Sequence, residues 1–481
     1  MMPFTSELAA TRAAQADWNK RPVRERLRPV RSLRALLVER ADAVTEAVRA
    51  DVGRTPVEVV GSELLPTAAA LKFLEGRAAR ILAPRSVGSR PTWLLGCRDT
   101  VHRRPWGAVG IIGTWNYPVF LNVVQIAQAV VAGNAVLWKP SENVPRTADL
   151  TTALFRDAGF PRDLLQQLPA TREAGPQLAE AAVDYVVFTG SDAVGRKLAA
   201  RLGERLVPST LELSGCDAMF VLADADLDLA ARAAWFGVTL NRGQTCIAVR
   251  RVFVQRPRYA EFVEKLRAFV ARSQAVSLVT EGQRRQAEKL VADAVARGAR
   301  ALTPESKDLG PGAMPPTILT GVHPETLVCT EACFAPVAGV IPFDSTDEVE
   351  ALVAPSPFAL AASVFSADTT AAAELAARIP AGAVCVNDAL APTAHPATPF
   401  GGRGSSGWCV TQGEEGLLAM TVPQVVTVRK GTFRPHFDEA ISPDPATGDI
   451  LRGLLRWTHA RGLGERLRGL WQMVRGVRRK K

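Results

Sequence analysis

Between Ala108 and Trp138 the chain carries no charged residue. A run of that length either crosses a bilayer or is enclosed by protein on every side. Its polar punctuation points to enclosure: Asn116, Asn122, Gln125, Gln128 and Asn134 recur along it, and Gly and Pro mark its breaks. That is the pattern of a buried strand, helix and strand in succession. The alternation continues downstream, with strand-like AVGIIGTW, AVLWK and DYVVFTG separated by helical stretches over 119–132 and 145–158 and followed by a helix from Asp192. Repeated β-α-β of this kind predicts a parallel sheet with right-handed crossovers. A second series starts near Leu211 and runs through MFVLAD, a helix over 226–239, RRVFVQ and a helix over 258–272 to VAGVIPF and AASVFS. The expected fold class is therefore α/β, with two such units.

The flanks differ. Residues 5–82 alternate Ala, Leu and Val with Arg and Glu at the spacing of amphipathic helices. Residues 84–104 are rich in turn formers and predict a hairpin that leaves the main body. Pro435, Pro443, Pro445 and Gly448 make 431–450 a linker. With 481 residues, 47% hydrophobic and 22% charged, the composition is that of an ordinary globular chain with room for about three domains.

The formal charge of +10 belongs to the end of the chain: residues 451–481 carry ten Lys and Arg against Glu465 alone, which leaves +1 for everything before. A nearly neutral body gives no reason to expect nucleic acid on the folded domains. Seven Cys without a CxxC pair and five scattered His indicate neither a disulfide framework nor a metal site. The N-terminus lacks the basic start and apolar run of a secretory signal, so the expected location is cytoplasmic.

A lone cysteine in such a chain is usually a small buried hydrophobe. Cys246 differs in its setting, NRGQTCIAV, where Gly243 and small polar neighbours let backbone amides approach a group bound to sulfur; a carboxylate, Glu212, closes LEL ahead of Gly215. Taken alone, Asn116 reads as a loop amide, and Lys139 with Glu142 as an ion pair at a strand end.

Six motifs then occur in order: IGTWNYP (112–118), LWKPSE (137–142), FTGSDAVG (188–195), LELSG (211–215), GQTC (243–246) and PFGG (399–402). Over residues 1–430 the chain resembles the aldehyde dehydrogenase superfamily. Its short N-terminus, IGTWNYP and the SSG after PFGG are most similar to the class that includes fatty aldehyde dehydrogenase. The resemblance implies a Rossmann-type nucleotide-binding domain (1–82 and 105–211), an α/β catalytic domain (212–395), and a small oligomerisation sheet (83–104 with 396–430) that pairs with a second subunit in a homodimer. A linker and basic tail (431–481) follow.

The resemblance also implies an oxidoreductase that converts an aldehyde to a carboxylic acid. Cys246 attacks the aldehyde carbon, and Asn116 with the Cys246 backbone N–H holds the oxyanion. Hydride passes to NAD or NADP, and Glu212 activates water to release the acid from a thioester. Cofactor contacts carried over in the same way are Trp115, Lys139, Ser141, Glu142, Thr189, Gly190, Ser191, Gly195 and Phe334. Ser191 opens a helix suited to a pyrophosphate. Glu142 would accept from the ribose 2′-hydroxyl and disfavour a 2′-phosphate, whereas Lys139 tolerates either.

Departures cluster near the nicotinamide. In TEACFAPV the family's second acid is Ala332; Ser214 stands for a Gly, Cys216 for a Lys, and Ala335 and Ala359 for a Gly each. The missing acid normally holds the nicotinamide ribose, so weaker cofactor binding or turnover is expected, and Glu331 compensates only if the backbone shifts by one residue. Two alternatives stay open: a catalytically impaired homologue acting as a binding or scaffold protein, and an enzyme that resolves the thioester with something other than water.

In the tail, Leu463, Leu467, Leu470, Val474 and Val477 recur at heptad-like steps beside Trp471, with Arg466, Arg468, Arg475 and Arg478 elsewhere around the turn. This predicts a basic amphipathic helix, weakened by its glycines. It reads as a solvated tail, as a peripheral anchor on an anionic membrane, or as a nucleic-acid or partner arm; membrane attachment in the related class favours the second.

Overall fold

The structure, a computed structural model, describes residues 3–94, 96–303, 312–432 and 443–479, with Phe437 and Ala440. The chain divides into two compact units, Met1–Leu82 with Arg104–Val422, and Ala83–Arg103 with Pro423–Lys481.

The larger unit is built around two large sheets. The first has six strands in the order Gly407–Trp408, Ser209–Glu212, Tyr185–Thr189, Ala108–Ile112, Ala135–Lys139 and Leu165–Gln167. All pair in parallel except Gly407–Trp408, which runs antiparallel beside Glu212 and Leu211. The uncharged stretch from Ala108 is the middle of this layer. Its helix, Phe120–Ala132, is buried at every position, because the N-terminal helices cover it: the Trp18 indole donates to the Val130 carbonyl (2.7 Å), and Val30, Leu33 and Leu37 join the same core. Burial on both faces explains why these strands are continuous apolar runs rather than alternating ones.

The second sheet has seven strands, in the order Arg300–Leu302, Thr317–Thr320, Val337–Phe343, Val249–Gln255, Asp217–Val221, Ala361–Phe365 and Ala383–Val386. Only Arg300–Leu302 is antiparallel to its neighbour. The chain crosses from the first sheet to the second between Glu212 and Asp217. Residues 396–422, expected to act with the bridging sheet, lie in the larger unit instead. Gly407–Trp408 closes the edge of the first sheet there, with the Trp408 indole donating to the Ser209 carbonyl (3.0 Å).

The three-stranded sheet Arg85–Ser86, Cys97–Pro105 and Thr421–Arg429, with Cys97–Pro105 in the centre, belongs to the smaller unit over residues 85–86, 97–103 and 423–429. That unit also contains two helices, Pro445–His459 and Leu463–Arg479. The linker expected over 431–450 is corrected from Asp444 onward: the Asp444 carboxylate accepts the Ala446 N–H (2.8 Å) and caps a helix whose first residue is Pro445, a position where the missing N–H does no harm. The tail is thus a helical hairpin rather than one helix. A Cβ on Gly453 would stand 2.6 Å from the Gly469 carbonyl oxygen, and one on Gly476 2.6 Å from Ile450 Cγ1. The glycines that weaken each helix alone are what let the two meet. No helix among the described residues is long and apolar enough to cross a membrane.

Candidate active site

Three turns converge on Cys246. The first leaves the strand Ala108–Ile112 and carries Asn116, 3% exposed. The Asn116 Oδ1 accepts from the Thr114 hydroxyl (2.7 Å) and Nδ2 donates to the Gln244 carbonyl (3.2 Å), so one amide hydrogen remains for another acceptor. The second turn follows the strand Ser209–Glu212 and presents Glu212 at its carboxyl end. The third reaches Cys246 through Asn241, Arg242 and Gly243, with φ of 50, 58 and 72°.

Left-handed residues other than glycine are uncommon, and these two are held by specific bonds. Asn241 Nδ2 donates to the carbonyls of Asn116 (3.0 Å) and Gln244 (3.2 Å). The Arg242 guanidinium donates to the carbonyls of Val52 (2.9 Å) and Gly53. A Cβ at Gly243 would run into the Ala335 carbonyl. Beneath the turn, the fully buried Arg250 donates to the carbonyls of Gly243, Cys333, Ala335 and Val337. Among the described residues, the Cys246 backbone N–H meets no acceptor.

Glu212 is 2% exposed, and neither of its oxygens is hydrogen-bonded among the described residues. Burial pushes its pKa up to about 7, with the nearby Cys246 thiol and Thr189 hydroxyl easing the shift. Burial, and then the Glu212 carboxyl, push the Cys246 thiol well above its usual range. At neutral pH the sulfur is therefore protonated at rest, beside a carboxyl group near its own midpoint.

Cys246, Glu212 and Asn116 line one cavity of about 370 Å³, together with Trp115, Thr189, Gly190, Ser191 and Phe334. An adjoining cavity of about 760 Å³ shares Trp115 and Ser191 and extends to Lys139, Ser141 and Glu142. Both open at the carboxyl ends of the parallel strands, the usual place for a nucleotide. Between them Ser191 caps the helix Asp192–Glu204, its hydroxyl accepting the Val194 N–H (3.4 Å). The chained cavities, the helix N-terminus and the donors at the far end fit a dinucleotide.

The remaining sequence candidates fall as follows. The Trp115 and Phe334 rings meet edge to face at 6.1 Å, and the Thr189 hydroxyl accepts from Gln125 (3.0 Å). The Ser141 hydroxyl accepts the Asn143 N–H (3.3 Å). Lys139 reaches Glu142 at 3.3 Å, and Arg172 reaches it at 2.9 Å. Burial alone would raise the Glu142 pKa, but a backbone hydrogen bond and these cations more than offset it and hold the group below its ordinary value. Gly195 lines neither cavity, and its missing side chain makes room for Leu213.

Ala332 lines the first cavity. The one-residue shift that would let Glu331 replace the lost acid does not occur. The Glu331 carboxylate accepts instead from Gln286 (2.7 Å) and Lys289 (3.4 Å) on the helix Glu281–Ala296. Asn241, Gln244, Arg250, Arg172, Arg54 and Glu63 were not anticipated. Asn241 and Gln244 at least stand inside NRGQTC, whereas a buried arginine has no signature, since arginine is mostly a surface residue.

A profile of the aldehyde dehydrogenase family matches residues 4–426. The chain is 34% identical over 427 residues to 4,4'-diapolycopene aldehyde oxidase of Methylomonas sp., covering 87% of this chain and 80% of that protein. It is 33% identical over 450 residues to a putative NADP(+) succinate-semialdehyde dehydrogenase of Mycobacterium tuberculosis, covering 89% and 85%. Among solved structures, an aldehyde dehydrogenase of Mycobacterium tuberculosis complexed with NAD+ superposes with a TM-score of 0.83 at 30% identity, over 89% of this chain and 90% of that one. A putative aldehyde dehydrogenase from Burkholderia cenocepacia superposes at 0.84 and 29%, over 90% of each chain. The chain belongs to the aldehyde dehydrogenase family and is an NAD(P)-dependent oxidoreductase of aldehydes.

Proposed function

We propose that Cys246 is the nucleophile, Glu212 the general base and Asn116 with the Cys246 N–H the oxyanion site for oxidation of an apolar aldehyde. The observation that carries this reading is the place of Cys246. It is the one described residue that lines both the cavity suited to the nicotinamide and a separate cavity of about 420 Å³ walled by Phe120, Leu121, Phe236, Leu240 and Leu390.

Glu212 takes the Cys246 proton, and the sulfur adds to the aldehyde carbon. Negative charge then develops on the carbonyl oxygen, within reach of the spare Asn116 hydrogen and the Cys246 N–H. When bound, the nicotinamide ring supplies the hydride acceptor. Cys246 is left as a thioester, and Glu212, its proton released to solvent, deprotonates the water that adds to the acyl carbon as the sulfur leaves.

The apolar cavity suggests the substrate class. Glu58 is the only charged residue among those lining it, with no Lys, Arg or His. An aldehyde bearing a carboxylate would meet no cation there, and an uncharged chain loses nothing on entry. Measuring reduced-cofactor absorbance with a long aliphatic aldehyde, a short one and succinate semialdehyde tests this; a preference for the dianionic product's precursor would overturn it.

Two features of the smaller unit support assembly readings. The edge strand Thr421–Arg429 exposes Val425, Val426 and Val428, and an exposed apolar edge favours pairing with another strand; we assign it to a homodimer contact. The helical hairpin exposes Leu451, Leu455, Leu463, Leu467 and Trp471 amid the +9 charge of residues 451–481. That combination suits peripheral binding to an anionic bilayer.

A further inference from the structure

One ion pair in the larger unit is wholly enclosed and lies outside the reaction described above. Arg54 and Glu63 are 1% and 0% exposed, with Arg54 Nη1 2.7 Å from Glu63 Oε1. Enclosing both charges gains little stability over an apolar pair of the same size, so what the pair holds in place deserves a physical account. Glu63 Oε2 accepts the backbone N–H groups of Val119 (3.0 Å) and Phe120 (2.8 Å), fixing the start of the buried helix Phe120–Ala132. Arg54 Nη1 also donates to the Asn116 carbonyl (3.4 Å), and its guanidinium lies 4.8 Å from the centre of the Tyr117 ring. The Tyr117 hydroxyl in turn pairs with Thr245 (2.8 Å), next to Cys246.

The loop bearing Asn116 is thus gripped on both sides by one pair. Glu63 reaches it from a single π-helical turn, Val60–Leu64. Such a turn sets residues out of α-helical register and recurs at functional sites. The same turn puts Gly61 and Ser62 on the wall of the apolar cavity, and Arg54 donates to the Ser62 hydroxyl. One support therefore carries both the aldehyde wall and the loop that meets the developing oxyanion.

We infer that Arg54 and Glu63 are positioning residues for Asn116, setting its amide at the place where the oxyanion forms. The inference rests on the role proposed for Asn116. An oxyanion donor acts only if it is held near its productive geometry before reaction, and a small displacement by a residue remote from the chemistry is enough to slow it.

Two variants of the full chain test this, each alone and combined with Asn116→Ala. Arg54→Lys keeps the charge and volume near Glu63 but gives up the planar contact with Tyr117 and the second donor. Arg54→Met with Glu63→Leu removes both charges together. The expected result for Arg54→Lys is a fall in kcat of roughly tenfold or more, with aldehyde KM, dinucleotide Kd by tryptophan fluorescence and Tm close to the parent. In the Asn116→Ala background either change should lower kcat by less than about twofold, because the group being positioned is already gone. A purely structural role would give equal losses in both backgrounds, and that result, or a parental kcat for Arg54→Lys, overturns the inference while leaving the function of Asn116 intact. If Asn116→Ala alone turns over normally, the oxyanion reading fails and this one with it. Should the double replacement not fold, Arg54→Lys decides.

Discussion

The Glu212 carboxyl and the Cys246 thiol share one buried wall, and the proton affinity of each lies above its ordinary value. Glu212 serves as a base only when ionised. With its pKa near 7, about one molecule in ten is competent at pH 6 and about nine in ten at pH 8. Turnover at saturating substrate is therefore expected to rise about tenfold per pH unit below 7 and to flatten above it. A pH–rate profile checks this; a flat profile between pH 6 and 8 would show that another group accepts the proton.

Glu212→Gln keeps the shape of the side chain and removes the base. Addition of sulfur, whose proton can then pass only to solvent, should slow, and hydrolysis should fail, so an acyl group accumulates on Cys246 during prolonged incubation with aldehyde and dinucleotide. Intact-protein mass reads this directly. Release of acid from the acylated variant at the parental rate would count against hydrolysis through Glu212.

Cys246→Ala places a small residue where a partly buried small one stood. Dehydrogenase activity should vanish, with Tm within a few degrees of the parent and dinucleotide Kd unchanged within about twofold, since none of the backbone grips on the turn depends on the sulfur. Residual turnover would place the nucleophile elsewhere.

Ala332→Glu supplies a carboxylate to the cavity lined by Cys246, while Glu331 stays engaged by Gln286 and Lys289. One recovered ribose hydrogen bond is worth about 1 kcal/mol, so NAD should bind roughly fivefold tighter in a titration. An unchanged Kd would mean that the neutral groups around Ala332 already satisfy the ribose.

Glu142 is flanked by Lys139 and Arg172. While it stays ionised it repels a 2′-phosphate; with Glu142→Gln, both cations turn to the ligand. The ratio of kcat/KM for NADP over NAD should increase by at least about tenfold, equivalent to one charged hydrogen bond. No change would place the 2′-position away from this cluster.

Much of this architecture was legible beforehand, for reasons that also mark the limits. The strands from Ala108, Ala135 and Tyr185 are apolar runs bounded by glycine, proline and polar turns, and local pattern suffices to find them. Cys246, Glu212 and Asn116, which line one cavity, are legible as candidates because each sits in a motif. Arg54, Glu63 and Arg250 were not, because their roles depend on partners distant in sequence: Glu63 serves Val119 and Phe120, and Arg250 serves Cys333 and Val337. The tail erred in the opposite direction. Its glycines were read by intrinsic propensity, as weak points, whereas Gly453 and Gly469 face each other across a helix pair.

For the tail, the full chain should sediment with vesicles containing anionic lipid, a chain ending at Lys430 should not, and high salt should release most of the bound protein. Gly469→Leu leaves the charge untouched but forces the helices apart, and should weaken binding if the two present one apolar face together. Equal binding by the truncated chain would remove the hairpin from the membrane reading.

Because the apolar cavity and the dinucleotide cavities have no lining residue in common except Cys246, the two ligands have separate doorways. Traffic through one does not obstruct the other. An acid product can leave while reduced dinucleotide is still seated, and a fresh aldehyde can wait in its channel during cofactor exchange. Inhibitors that plug the aldehyde channel should therefore be noncompetitive toward the dinucleotide, and the covalent bond to sulfur is the single point at which the two queues must take turns.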